Sequence, residues 1–198
     1  DPIPCNRGSF CPPSSSAPTP CPVGTFNGKY SITSIDGCSA CTPGYYCASS
    51  GLISPTGSCS AGYFCSSGSS TATPHSSNPY SLTYVGDTCV GASNETVNDI
   101  CPPGHYCPTQ SAAPSACPPG TNSSSLGLTN VDQCQPCASG MYCPNHGTIN
   151  AVRLCLEGYY CPVGTVNPTL NTSLICPAGH KCPPGSVSPL KCPLGEYQ

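Results

Sequence analysis

Adding 96 to the positions of the first eight cysteines, Cys5, Cys11, Cys21, Cys38, Cys41, Cys47, Cys59 and Cys65, gives 101, 107, 117, 134, 137, 143, 155 and 161. Each of these is again a cysteine. Eight coincidences in one register mark a tandem duplication, and a repeat of that kind fixes the architecture before any residue is read for chemistry. The spacings that open both copies, 6 and then 10, return at Cys176, Cys182 and Cys192. The expected organisation is therefore one repeat over residues 1–100, with a variable insert at 66–100, a second over 101–175, and the start of a third over 176–198, truncated at Gln198. Cys192 is expected to find its partner beyond Gln198. Cys89, in the insert, has no counterpart in the second copy, so a bond within the insert or to another chain is expected of it.

Inside the repeat lies a smaller unit, C-x-x-G-x-aromatic-C. It ends in Phe10-Cys11, Tyr46-Cys47, Phe64-Cys65, Tyr106-Cys107, Tyr142-Cys143 and Tyr160-Cys161, and a further copy at Cys176–Cys182 carries Lys181 in place of the ring. Its glycine permits a positive φ or a close backbone approach. Its ring can lie over a neighbouring disulfide, a mildly favourable sulfur–aromatic contact.

With 20 cysteines in 198 residues the chain has the density of a disulfide scaffold, and Leu, Ile, Val and Phe together number only 29. A conventional apolar core is out of reach, so cross-links must replace it. A closed loop such as Cys21 to Cys38 would contribute about 3 kcal/mol through lost denatured-state entropy. Such a density of disulfides implies an oxidising compartment, hence an extracellular protein, secreted or at the cell surface. No signal peptide and no long apolar run is present, so a membrane enters the reading only through missing sequence. The net charge of −3 offers no basic patch, and no nucleic-acid partner is expected.

Along the chain, Pro12 to Pro20 reads as an extended Pro/Ser spacer. Its hydroxyls, Ser14, Ser15, Ser16 and Thr19, are candidates for O-linked sugar, as are Ser69, Ser70, Thr71 and Thr73 in the Ser/Thr-rich run from Ser66 to Ser81. Asn27-Gly28 between β-formers predicts a short hairpin. Leu82 to Val85 is expected to be a strand, and Asn94 to Asp99 an acidic turn. Helix signals are almost absent. Three N-glycosylation sequons are intact, at Asn94, Asn122 and Asn171, whereas proline excludes Asn167-Pro-Thr169. The fold class is a small disulfide-rich one of irregular loops and short β-strands, an elongated tandem array of cysteine-rich repeats with little helix.

The succession C-P-x-G-x-aromatic, a loop of about fifteen residues, then C-x-x-C-x-x-G-x-Y-C, over Cys21–Cys47 and Cys117–Cys143, with Cys192–Tyr197 beginning another, resembles the ephrin-receptor-like cysteine-rich repeats. These are relatives of EGF-like and TNF-receptor cysteine-rich modules. The resemblance implies extracellular spacers, adhesive stalks or receptor ectodomains, and is shared with long arrays in surface and fibril proteins of algae and other protists. It also implies a connectivity: Cys21–Cys38 and Cys117–Cys134, then crossed pairs Cys41–Cys59, Cys47–Cys65, Cys137–Cys155 and Cys143–Cys161.

Other chemistry was weighed against plainer readings. Cys38-x-x-Cys41 and Cys134-x-x-Cys137 could each supply half of a zinc site or a redox pair, but both recur only because the repeat does, and no βαβ pattern surrounds them. His105 and His180 share a motif slot with Ser9, Tyr45, Tyr63, Met141 and Tyr159, a tolerance that fits a surface position better than a general base. His75 and His146 have no nucleophile-elbow context nearby. Glu95 and Asp99, with Asn94 and Asn98, match no calcium loop, so a solvated turn is favoured. No enzyme activity and no cofactor are expected, only covalent glycans. The expectation is a structural glycoprotein, the repeat subunit of a fibril, cell-surface coat or flagellar hair, that self-associates. The competing class is a ligand-binding or adhesive receptor ectodomain.

Overall fold

A computed structural model of the protein describes residues 5–75, 84–85, 88–89, 99–151 and 153–193. Among the described residues every complete C-x-x-G unit begins with the same reversal. In Pro22–Thr25 the Thr25 amide donates to the Pro22 carbonyl at 3.1 Å, and Gly24 takes φ +83°. That positive φ at the third residue is what a type II turn requires. The Thr25 hydroxyl adds a second bond to the same carbonyl at 2.7 Å.

The two residues after the turn pair antiparallel with the two that precede the next unit. In this way Ser9–Phe10 pairs with Thr19–Pro20, Thr25–Phe26 with Ser39–Ala40, Tyr45–Tyr46 with Gly57–Ser58, and Tyr63–Phe64 with Asp99–Ile100. Further on, His105–Tyr106 pairs with Ser115–Ala116, Thr121–Asn122 with Gln135–Pro136, Met141–Tyr142 with Arg153–Leu154, and His180–Lys181 with Leu190–Lys191. Tyr159 and Ile175 form a single bridge. Within the insert Tyr84–Val85 pairs with Thr88–Cys89. Among the described residues the only helical turns are of 3-10 type: Ile35–Gly37, Val131–Gln133, Pro168–Leu170 and Thr172–Leu174. The fold is thus a disulfide-rich array of short two-stranded hairpins.

Among the described residues nine disulfides stitch these hairpins. Cys21–Cys38 and Cys117–Cys134 close the long loops, each across 17 positions. The crossed pairs do not form. Instead Cys41 pairs with Cys47, Cys59 with Cys65, Cys137 with Cys143 and Cys155 with Cys161. Cys5–Cys11, Cys101–Cys107 and Cys176–Cys182 follow the same rule. The reason is the turn. By reversing the chain at Gly44 it brings the Cα atoms of Cys41 and Cys47 to 5.8 Å, within ordinary bridging range, so the bond closes inside the unit before a more distant partner is reached.

One other expectation is corrected. The hairpin near Asn27-Gly28 exists, but its strands, Thr25–Phe26 and Ser39–Ala40, are joined by the whole loop 27–38, and Gly28 does not take the positive φ of a two-residue turn. The compact units also differ from the sequence repeats. One comprises Asp1–Cys101 with Cys107–Pro114, the other Pro102–Tyr106 with Ser115–Gln198. The division between the compact units therefore runs through the Cys101–Cys107 unit. The cause is strand pairing. Asp99–Ile100 pairs back to Tyr63–Phe64, whereas His105–Tyr106 pairs forward to Ser115–Ala116.

The core is made of sulfur. Cys21, Cys41, Cys47, Cys59 and Cys65 are fully buried in the first unit, and Cys117, Cys137, Cys155 and Cys161 in the second. Among the described residues the one cluster of buried apolar side chains is Cys117, Leu128 and Cys134, with the half-buried Tyr106 packed against it. That ring covers the disulfide of the next unit, as the aromatic position suggested.

Candidate functional site

The recurring feature with functional content is a backbone ladder that joins each C-x-x-G unit to its successor. At Gly120 the amide donates to the Cys143 carbonyl and the Gly120 carbonyl accepts from the Cys137 amide, both at 2.8 Å. Gly140 repeats this one unit on, donating to Cys161 and accepting from Cys155, again at 2.8 Å. A second pair of rungs runs from the following segment: the Gly164 amide to the Cys137 carbonyl at 2.8 Å and the Cys143 amide to the Thr165 carbonyl at 3.0 Å. The first compact unit has the same rungs, Gly24 to Cys47 at 3.0 Å, Cys41 to Gly24 at 2.8 Å, Gly68 to Cys41 and Cys47 to Ser69 at 2.9 Å. All of these bonds are backbone to backbone, so they set register without asking anything of the side chains except that they leave room.

Room is what the motif glycine supplies. A Cβ on Gly140 would stand 2.6 Å from the Gly185 carbonyl oxygen, and one on Gly24 2.6 Å from that of Gly68. The chain therefore needs glycine here for its φ and for the close passage of a second backbone. A further left-handed position, nine or ten residues after the first cysteine of each unit, is less demanding. It holds Gly51, Gly68, Gly147, Gly164 and Gly185, but also Ser14, Ser31 and Gln110 at φ +67°, +57° and +69°. Space around it explains the tolerance, since a Cβ on Gly164 would meet nothing nearer than the Gly120 carbonyl oxygen at 4.0 Å. This position was missed in the sequence; its signal is the repeated P-x-G or S-S-G just after the second cysteine.

In two units the second cysteine is absent because the first pairs with the long loop. Asn27 stands there in one, only 2% exposed. Its amide nitrogen donates to the Lys29 carbonyl at 2.9 Å and the Ser9 carbonyl at 3.3 Å, and its Oδ1 accepts from the Lys29 amide at 2.8 Å. Ser123 fills the equivalent place, accepting from the Ser125 amide at 3.2 Å. These side chains do the work of the missing bridge. Asn27→Ala should cost about 1–3 kcal/mol, because it removes the three hydrogen bonds of a buried side chain, and a denaturant titration under non-oxidising, non-reducing conditions would read it.

No family model matches the chain, and comparison with curated proteins returns no match. The remaining site residues are therefore judged on geometry alone. Both C-x-x-C pairs are split between separate disulfides, Cys38 with Cys21 and Cys41 with Cys47, Cys134 with Cys117 and Cys137 with Cys143, which takes up the thiolates that zinc or redox exchange would need. Cys192 is a free thiol, half-buried. Cys89 lies in its short strand, and its side chain is outside the described residues. His105 and His180 each direct Nδ1 at a carbonyl two residues back, Pro103 at 3.0 Å and Ala178 at 3.2 Å, a contact that needs the proton on Nδ1. Asp99 is buried with its carboxylate accepting from the Ile100 amide at 2.6 Å, which sets it apart from a solvated acidic turn. Asn94, Glu95 and Asn98 lie outside the described residues.

The candidate glycosylation positions separate clearly. Ser14, Ser15, Ser16 and Thr19 are exposed, as are Ser70, Thr71 and Thr73. Ser69 is not. It is 2% exposed and its hydroxyl donates to the Thr71 carbonyl at 3.1 Å, so an enclosed, engaged oxygen replaces the accessible one expected. Asn122 is a half-buried strand residue whose Nδ2 donates to the Ile149 carbonyl at 3.4 Å. Asn171 is exposed and caps the turn Thr172–Leu174. Among the described residues no helix is long and apolar enough to cross a membrane.

Proposed function

We propose that this chain is a structural extracellular glycoprotein, the repeat subunit of a fibril, cell-surface coat or flagellar hair, built from modules of the ephrin-receptor-like kind. The observation that carries this reading is the glycine ladder. One set of backbone atoms joins unit to unit throughout each compact unit, while the residues on the outside vary freely. An architecture of this type is quasi-one-dimensional: stability accumulates between neighbours, and length is gained by adding units. A scaffold made this way suits a protein whose task is to extend and to associate with copies of itself. Exposed aliphatic side chains such as Val23, Val187 and Leu190 would serve lateral contacts. The nine cross-links favour a secreted or surface location.

Negative-stain electron microscopy of the native material at physiological salt, without reductant, tests the reading. Regular filaments that disassemble on reduction are expected. Separate, monodisperse particles would overturn it in favour of a ligand-binding or adhesive ectodomain.

A further inference from the structure

The second compact unit carries an apolar groove of about 410 Å³ whose walls include Val163, Val166, Leu170 and Leu174. Its size is within the range of about 300–1,000 Å³ usual for sites that take a small molecule or a sugar. The groove is unusually bare: Leu170 is 81% exposed and Val163 66%. These side chains share the groove with the polar Thr165, Asn167 and Asn171, so its wall offers apolar contact beside an attachment point.

The same lining contains Asn171, the first residue of an intact Asn171-Thr172-Ser173 sequon. Its side chain is already held for modification. Oδ1 accepts from the Ser173 amide at 3.0 Å and from the Ser173 hydroxyl at 2.7 Å, which fixes the amide plane. Nδ2 makes no hydrogen bond among the described residues. Asn167 forms the same arrangement with Thr169, at 3.1 and 2.9 Å, but Pro168 bars its sequon, so one asparagine of the two on this rim is competent.

We infer that an N-linked glycan on Asn171 covers this groove, with its first N-acetylated sugar laid against Val163, Val166 and Leu170. The donor is a lipid-linked diphosphate oligosaccharide. Nδ2 bonds to the anomeric carbon as the carbon–oxygen bond to diphosphate breaks, the amide proton leaves to a base of the transferase, and the lipid diphosphate departs. The sugar's C–H face and acetamide methyl then take the place of water on the aliphatic side chains, which is favourable in proportion to the apolar area covered. Asn122, by contrast, has its Nδ2 engaged and is not expected to carry this cover.

The inference rests on passage through a glycosylating compartment and not on fibril assembly, so the two can fail separately. The test is to secrete the full chain from a glycosylating host and measure three forms: fully glycosylated, trimmed by an endoglycosidase to the first sugar, and stripped completely. Hydrophobic-dye binding and amide exchange over residues 163–174 should stay low in the first two forms and rise several-fold in the third. In the unglycosylated Asn171→Gln chain, adding Leu170→Ser should bring dye binding down again, with thiol titration confirming that the disulfides are intact. A bare Asn171 in the secreted chain, stripping that changes neither signal, or a single sugar that protects no better than none would each overturn the inference.

Discussion

Replacing Gly140 by Ala should destabilise the second unit by about 2–5 kcal/mol, far more than the same change at Gly158. Both glycines hold φ +78°, so both substitutions force an L-residue into the left-handed region at about 1–2 kcal/mol. They differ in what the new Cβ meets. At Gly140 it lies 2.6 Å from the Gly185 carbonyl oxygen, and 3.3 Å from a Val187 methyl, whereas at Gly158 nothing is within 4 Å. The Gly185 backbone cannot yield without disturbing its own rung to the Cys155 carbonyl, nor Gly140 without disturbing those to Cys155 and Cys161, so an overpacking term of about 1–3 kcal/mol is added. Amide exchange at Cys155, whose N–H is bonded to the Gly140 carbonyl, would report the effect directly. Equal losses for the two variants would mean that close backbone passage is not what selects glycine in the motif.

Full reduction should abolish the fold without any denaturant. Each six-residue bridge removes about 2 kcal/mol of denatured-state entropy and each of the two longer loops about 3 kcal/mol. Together these exceed the net stability of about 5–15 kcal/mol typical of a folded domain. Among the described residues nothing else can replace them, since the clustered apolar core there amounts to Leu128 and Tyr106 around one disulfide. Reduced and alkylated chain should therefore lose amide protection along the ladder and become a ready substrate for proteases. Retention of protected amides after alkylation would show that the ladder and the turns fold unaided.

How legible this was depends on which interaction decided each feature. The repeat, the scarcity of helix and the glycine-bearing unit follow from covalent spacing and local backbone preference, both written directly in the chain. Cys21–Cys38 and Cys117–Cys134 followed from resemblance. The crossed pairs followed from it too, and there it misled. The separation of 6 recurs from Cys5–Cys11 to Cys176–Cys182, while the gaps between units run from 3, Cys38 to Cys41, to 36, Cys65 to Cys101. An invariant spacing beside variable ones is the mark of a loop closed on itself, because only a covalently closed loop forbids insertions. Asn27-Gly28 misled for another reason: a strong two-residue turn signal was overridden by tertiary placement, Asn27 being buried where a cysteine would otherwise stand. The ladder itself could not be read from side chains, since its rungs are all main chain. Nor could burial of Ser69, which depends on the fold around it and not on its polar neighbours.

The central claim is that every unit is closed within itself, and trypsin can test it at one bond. Arg153 lies between Cys143 and Cys155, and among the described residues no disulfide spans it. Cleavage after Arg7, Lys29 or Lys181 leaves the pieces tied by Cys5–Cys11, Cys21–Cys38 or Cys176–Cys182. Cleavage after Arg153 leaves nothing tied among the described residues, and the further cut after Lys191 removes Cys192 from the segment, so that a bond from Cys192 to Cys89 could not hold it. Digestion under non-reducing conditions, with enough denaturant to open the Met141–Tyr142 and Arg153–Leu154 hairpin, should release the segment that begins at Leu154 as a separate species by mass spectrometry. If that segment stays bound until a reductant is added, Cys137–Cys155 or Cys143–Cys161 bridges the cut, and the account of self-closed units is wrong.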